Sequence, residues 1–175
     1  NNFTVARVRQ DFRNRSNIGA MFVNRGATGN LAGERDYNRS YAVDGRWGIG
    51  QTGTVSGFAA QTDTPGLKGD THAFNMAANY DSERYQLRGG FTEVGPNFNP
   101  EVGFIRRRNG FRKYDFGLNN TSRPDGVLKL QELTPHMSFT RFWNFDGIME
   151  TSFLHMHFQG EFEDSTSIGV AYNVR

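Results

Sequence analysis

Apolar and polar residues alternate along this sequence in stretches too long for an ordinary soluble sheet. From Tyr85 the apolar side chains fall on every second position, Tyr85, Leu87, Gly89 and Phe91, while Arg84, Gln86, Arg88, Gly90 and Thr92 take the positions between. That is the period of a strand whose two faces meet different surroundings. Residues 36–49 repeat it, with Tyr37, Tyr41, Val43 and Trp47 against Asn38, Ser40, Ala42, Asp44 and Arg46, although Arg39 falls on the aromatic side. Residues 70–80 set His72, Phe74, Met76, Ala78 and Tyr80 against Thr71, Ala73, Asn75, Ala77 and Asn79, and 111–119 set Arg112, Tyr114, Phe116 and Leu118 against Lys113, Asp115 and Gly117. Strands of soluble sheets average about five or six residues, whereas strands that cross a membrane need about nine to eleven. Most segments here are of the longer kind.

Turn chemistry separates them. Asn14-Arg15-Ser16-Asn17, the Gly- and Asn-rich run from Gly26 to Glu34, Asp63-Thr64-Pro65-Gly66, Asp81-Ser82, Arg123-Pro124-Asp125-Gly126 and Asn144-Phe145-Asp146-Gly147 all favour reversals. Between them lie extended segments at 2–13, 18–25, 36–49, 53–62, 70–80, 85–92, 111–119, 127–143 with a bend at Pro135, 148–162 and 166–174. The fold class predicted is all-β: an antiparallel up-and-down meander of about ten long strands in one domain spanning 1–175, with no helix of credible length. After Thr92 the sequence Gly95-Pro96-Asn97-Phe98-Asn99-Pro100 cannot continue a ladder, because each proline lacks an amide hydrogen. A shaped loop is expected there.

Composition narrows the class. Aromatic residues reach 14%, with 16 phenylalanines and 21 glycines, while apolar residues total only 36% and the mean hydropathy is −0.65. A thick two-sided core is hard to build from that, whereas a lipid-facing barrel needs only one apolar residue in two, takes Tyr, Trp and Phe at its interfaces and tolerates charge in its lumen. The predicted fold is therefore a transmembrane β-barrel or a large part of one. Twenty basic residues against 18 acidic ones leave a formal charge of +2, too little to indicate nucleic acid as a partner. No cysteine is present, which excludes disulfides, thiolate metal sites and a cysteine nucleophile. No run of about 18 apolar residues forms a transmembrane helix, and no signal peptide is visible. The chain opens at Asn1-Asn2-Phe3 and stops at Asn173-Val174-Arg175 as though within strands, so a piece of a longer polypeptide is expected.

The segments TVARVRQDFRNRSNIGAMFVNR at Thr4–Arg25, YAVDGRW at Tyr41–Trp47 and NPEVGFIRRR at Asn99–Arg108 together resemble a family of uncharacterised Gram-negative outer-membrane proteins. In that family a C-terminal β-barrel region follows an N-terminal domain similar to a carbohydrate-binding family 9 module. The resemblance implies a bacterial outer-membrane location and a barrel fold, with no catalytic residues and only the barrel region represented. The partners it suggests are the lipid bilayer, lipopolysaccharide and a periplasmic or surface protein.

Candidate sites follow from the same faces. Asp44, Arg46, Arg84, Arg88, Lys113 and Asp115, with Glu101 and the triplet Arg106, Arg107 and Arg108, form an expected lumen or rim charge cluster. The triplet reads either as a contact for lipopolysaccharide phosphates, a polyanionic solute or a plug, or as a salt-bridged network with Glu93, Glu101 and Asp115. Tyr37, Tyr41, Trp47, Tyr80, Tyr85 and Trp143 are the expected interface aromatics. His155 and His157 share a strand face that His136 could join, but without a third ligand at fixed spacing no metal is expected. Gly48-Ile49-Gly50-Gln51-Thr52-Gly53 matches a dinucleotide fingerprint, yet no helix follows it, so a hairpin turn is expected and no cofactor. Glu161, Glu163 and Asp164 read as a charged strand end rather than a carboxylate pair for catalysis or calcium. The function expected is an anchor, pore or transport partner without catalysis. The alternative is a soluble β-sandwich at the cell surface, binding carbohydrate through Trp47, Tyr41 or Trp143, or a module of a surface filament.

Overall fold

The computed structural model describes residues 1–30, 33, 35–103, 107, 109–127 and 129–175. Its strands are β1 (Asn2–Phe12), β2 (Ser16–Gly26), β3 (Tyr37–Ile49), β4 (Gly53–Asp63), β5 (His72–Asp81), β6 (Tyr85–Val94), β7 (Phe111–Asn120), β8 (Leu130–Leu133), β9 (His136–Trp143), β10 (Met149–Phe162) and β11 (Ser167–Val174). They make one antiparallel sheet in the order β1-β2-β3-β4-β5-β6-β7-β9-β10-β11, with β8 pairing β10 off that path. This is the predicted all-β meander, and no helix occurs among the described residues. The sheet is open, since β1 pairs with β2 alone and β11 with β10 alone among the described residues.

The long segment predicted at 127–143 is split by the residue expected to bend it. β8 and β9 meet β10 in one register, Leu133 opposite Gly160 and His136 opposite His157, so they are a single strand interrupted at Pro135. Proline has no amide hydrogen to give the ladder, while the Thr134 amide still donates to the Gln159 carbonyl at 2.8 Å. The strand starts at Leu130 rather than 127 because Gly126 and Lys129 adopt positive φ, 70° and 56°, and keep the turn going.

Loops at the two rims differ. One rim carries the connections 27–36, 64–71, 95–110 and 144–148. The other carries the tight turns 13–15, 50–52, 82–84 and 163–166, together with one longer connection at 121–129. The sequence Gly48–Gly53 lies at this second rim as a strand end and hairpin. Gly48 is required there by a close approach, since a Cβ would stand 1.9 Å from the Asn14 carbonyl oxygen. In its place the Asn14 side-chain amide donates to the Gly48 carbonyl at 2.6 Å, and the Gly48 amide donates to Ser16 Oγ at 3.0 Å.

The buried apolar core consists of Val23, Ala73 and Val94, and the buried polar residues include Asn38 and Thr62. A folded chain of 19.8 kDa packed as a soluble globule exposes roughly 8,600 Å². This one exposes 12142 Å². A single layer accounts for the excess, because among the described residues no second sheet covers either face.

Candidate functional site

Cross-strand register sorts the side chains into two surfaces. Trp47, Val55, Ala78, Gly89, Phe116, Phe139, Leu154 and Val174 stand opposite one another in one unbroken apolar row from β3 to β11. The adjacent row toward the tight-turn rim continues with Tyr80, Leu87, Leu118, Met137, Met156 and Tyr172. This apolar face is bare: Val8 is 74% exposed, Trp47 65%, Met76 62% and Val170 70%. Soluble monomers rarely expose a contiguous apolar patch of more than a few hundred Å². Toward the long-loop rim the same face ends in aromatic rings, with Phe74, Phe91, Tyr114 and Trp143 in successive contact at centroid separations of 5.3, 4.6 and 5.2 Å. Charge begins alongside them. The Glu93 carboxylate accepts from Arg112 Nε at 2.6 Å and lies 2.8 Å from His72 Nε2, and Arg39 stacks on Tyr37 with Asp63 at 4.0 Å.

The opposite face is largely polar from β2 to β10, with the exposed Phe3 and Val5 at its β1 edge, and its charges lie down over glycines. Asp44 is paired across from Gly19, Asp115 from Gly90, and Arg88 from Gly117. A Cβ at Gly19 would meet the Asp44 carboxylate at 3.0 Å, at Gly90 the Asp115 carboxylate at 2.8 Å, and at Gly117 the Arg88 Nε at 2.5 Å. Arg7 donates to Asp44 at 2.9 Å, and Lys113 Nζ pairs with Asp115 at 2.7 Å. Absence of a side chain opposite thus lets each charged group extend along the sheet, where Arg7 and Lys113 satisfy Asp44 and Asp115.

At the long-loop rim the 95–110 connection covers this polar face. The Asn38 side-chain amide donates to the Asn99 carbonyl at 2.6 Å and to Thr64 Oγ1 at 2.7 Å, and its oxygen accepts from the Glu101 amide at 3.3 Å. The Asn99 amide donates to Thr62 Oγ1 at 3.0 Å. Arg25, on β2, joins Glu101 at 2.6 Å and Asp36. Farther along the loop, Arg107 donates to Glu150 at 2.6 Å and to Thr151 at 3.3 Å, with its guanidinium 4.4 Å from the Phe142 ring centre. The loop therefore spans from β2 and β3 to β10, and the buried Val23, Ala73 and Val94 stand on the same face at the same rim.

The predicted residues fall into several places. Asp44, Arg46, Arg88, Lys113 and Asp115 share the polar face, as their alternation implied, whereas Arg84 lies in the β5–β6 turn over the Tyr85 ring at 5.5 Å. Arg106 and Arg108 lie outside the described residues. Arg107 is paired with Glu150, and Glu93, Glu101 and Asp115, the partners expected for the triplet, are bound by Arg112, Arg25 and Lys113. Glu93 and Asp115 have their base on a neighbouring strand or on their own, and Glu101, itself in the loop, meets Arg25 on β2. Tyr37, Tyr41, Trp47, Tyr80, Tyr85 and Trp143 all stand on the apolar face. Glu163 and Asp164 sit in the β10–β11 turn, where Asp164 accepts the Thr166 amide at 2.9 Å. His136, His155 and His157 share the polar face at the tight-turn end. The roles of Asn38, Arg25 and Thr62 in fastening the loop were missed by the sequence reading; only the place of Asn38 on a polar face was legible.

No family model, curated protein or solved structure matches the sequence.

Proposed function

We propose that this chain is the wall of a bacterial outer-membrane β-barrel, with its apolar face against lipid and its polar face lining a hydrated interior narrowed by the 95–110 loop. The observation that carries it is the bare apolar row from Trp47 to Val174, one residue out of step with a charged and hydrogen-bonded face on the same strands. A lipid-facing strand alternates in this way and ends in an aromatic girdle at each interface. Rim asymmetry supports an orientation, since barrels of this kind carry short periplasmic turns and longer external loops. The 27–36, 64–71, 95–110 and 144–148 rim then faces outward. Partners are the bilayer and, toward the rim where Arg39 on β3 and Arg112 and Arg141 on β7 and β9 each stack on an aromatic ring, the phosphates of lipopolysaccharide. The role is anchoring or passage of solute rather than catalysis, in keeping with the outer-membrane family its sequence resembles.

The test is refolding of the chain in detergent and in liposomes. A β form that requires detergent, changes gel mobility on boiling and resists protease in vesicles is the expected result. Conductance across planar bilayers then separates an open interior from one closed by the loop. A soluble, monodisperse β form without detergent overturns the proposal and directs attention to glycan binding by Trp47. Closure of the wall is read from cysteine pairs introduced on β1 and β11, because the chain has no cysteine of its own.

A further inference from the structure

The protein has four histidines, and the register gathers three of them. His136 on β9 stands directly opposite His157 on β10, with ring centres 4.8 Å apart, and its Nε2 lies 3.1 Å from Nε2 of His155. Asn173 Oδ1, on β11, is 2.8 Å from His155 Nδ1. A carbonyl oxygen only accepts, so Nδ1 carries the proton and Nε2 presents its lone pair to His136. Such an outer partner is the usual device for fixing the tautomer of a metal-ligating imidazole. On the other side of His136 its cross-strand neighbour Asn119 holds a buried side-chain oxygen, Oδ1, that has no hydrogen-bond partner. His136, His155 and Asn119 line a cavity of about 610 Å³ together with Asp81, Gln86 and Arg88.

We infer that this cluster is a binding site for a first-row divalent cation of imidazole preference, Cu²⁺ or Zn²⁺. Metal–nitrogen bonds of about 2.0–2.1 Å place two cis imidazole nitrogens roughly 2.9 Å apart in a square-planar site and roughly 3.3 Å apart in a tetrahedral one. The observed 3.1 Å between His136 and His155 falls between these values. As placed, no three His, Asp or Glu side chains among the described residues surround a single point. The His136–His155 pair is therefore the anchor, and His157, edge-on to His136, is the nearest further imidazole. The two imidazole nitrogens share one hydrogen bond, and Asn119 Oδ1 has no partner among the protein's own described atoms. The cluster stands apart from the lipid-facing row, so this inference does not depend on the membrane reading.

The experiment titrates Cu²⁺ and Zn²⁺ separately into the refolded, untagged chain, with calorimetry for stoichiometry and electron paramagnetic resonance of the Cu²⁺ form for its ligands. One saturable equivalent with coupling to two or three imidazole nitrogens is expected. His136→Ala and His155→Ala each abolish it, and Asn173→Ala weakens it by about 10- to 100-fold through loss of the outer hydrogen bond. His72→Ala leaves affinity unchanged, because the fourth histidine stands on the apolar face beside Glu93. Absence of a saturable site, or a site that survives in the His136→Ala/His155→Ala double variant or is lost equally in His72→Ala, overturns the inference. Should the alanine variants fail to refold, the wild-type spectrum decides, because copper bound without nitrogen coupling overturns it too.

Discussion

Ala77 and Ala78 are neighbours on β5, and they belong to different surfaces. Ala77 stands between Ser56 and Gly90, and the space above Gly90 is filled by the Asp115 carboxylate. Ala78 stands between Val55 and Gly89 in the apolar row that runs to Val174. Backbone, strand and hydrogen-bond ladder are common to both; only the side of the pleat differs. A sheet with water on both sides has no reason to keep such a contrast across the eight strands of that row, and a sheet between packed layers would cover the apolar side. The difference teaches that the side of the pleat, and not the strand, decides which surroundings a residue meets.

The largest expected effect comes from putting one charge on each face in turn. Ala78→Arg places a guanidinium in the middle of the apolar row and is expected to destabilise the bilayer-folded form by about 2–4 kcal/mol, the cost of arginine at the midplane of a membrane barrel. Ala77→Arg points the same group across Gly90 toward Asp115, so its effect is expected to stay below about 1 kcal/mol. Denaturant titration in lipid vesicles measures both. Equal costs for the two variants would break the comparison, and with it the assignment of lipid to one face.

Next in size is the loop latch. Asn38→Ala removes a buried amide that holds the Asn99 carbonyl, Thr64 and the Glu101 amide, leaving buried groups unpaired at a cost of about 1–3 kcal/mol. The loop is expected to become protease-sensitive between 95 and 103 while the strands stay protected, and any conductance through the interior is expected to rise. A comparable contrast on the strands uses glycine. Gly117→Val drives a methyl group into the Arg88 side chain, 2.5 Å from the Cβ position, whereas Gly89→Val meets nothing within 4 Å. The first is expected to cost about 1–3 kcal/mol through overpacking, and the second to be neutral or mildly stabilising. Thermal or denaturant midpoints of the paired variants read the difference.

The period-two pattern made the strands and the two faces legible, because alternation is set by the pleat alone. Tyr85, Leu87 and Phe91 could be placed opposite Gln86, Arg88 and Thr92 without knowing a single neighbour. What the pattern could not carry was pairing at a distance in sequence. Asn38 and Asn99 are 61 positions apart and Arg25 and Glu101 76, and nothing in the local chemistry of either partner names the other. The arginine triplet drew attention for its density, yet the partner of Arg107 is Glu150, 43 positions away. The histidines show the same limit in milder form: a shared strand face for His155 and His157 was readable from their spacing, whereas the 3.1 Å approach of His136 and the orphaned oxygen of Asn119 depend on the register of three strands.

The smallest expected effect lies where both faces end, in the tight turn after β10. There Asp164 accepts the Thr166 amide at 2.9 Å, and this hydrogen bond to the backbone holds its carboxyl below the usual carboxylate range. Because the folded pKa is depressed, the stabilisation is present above the unfolded value and is lost as pH falls through the folded one. Asp164→Asn removes the charge and is expected to flatten the acid limb of the stability curve slightly, with no change at neutral pH in protease protection of the strands. Carboxyl chemical shifts followed by nuclear magnetic resonance give the titration directly. A midpoint at the ordinary value would show that the turn is held by its backbone alone, and that the β10–β11 hairpin is fixed by the apolar pairs Phe158–Val170 and Met156–Tyr172 rather than by its tip.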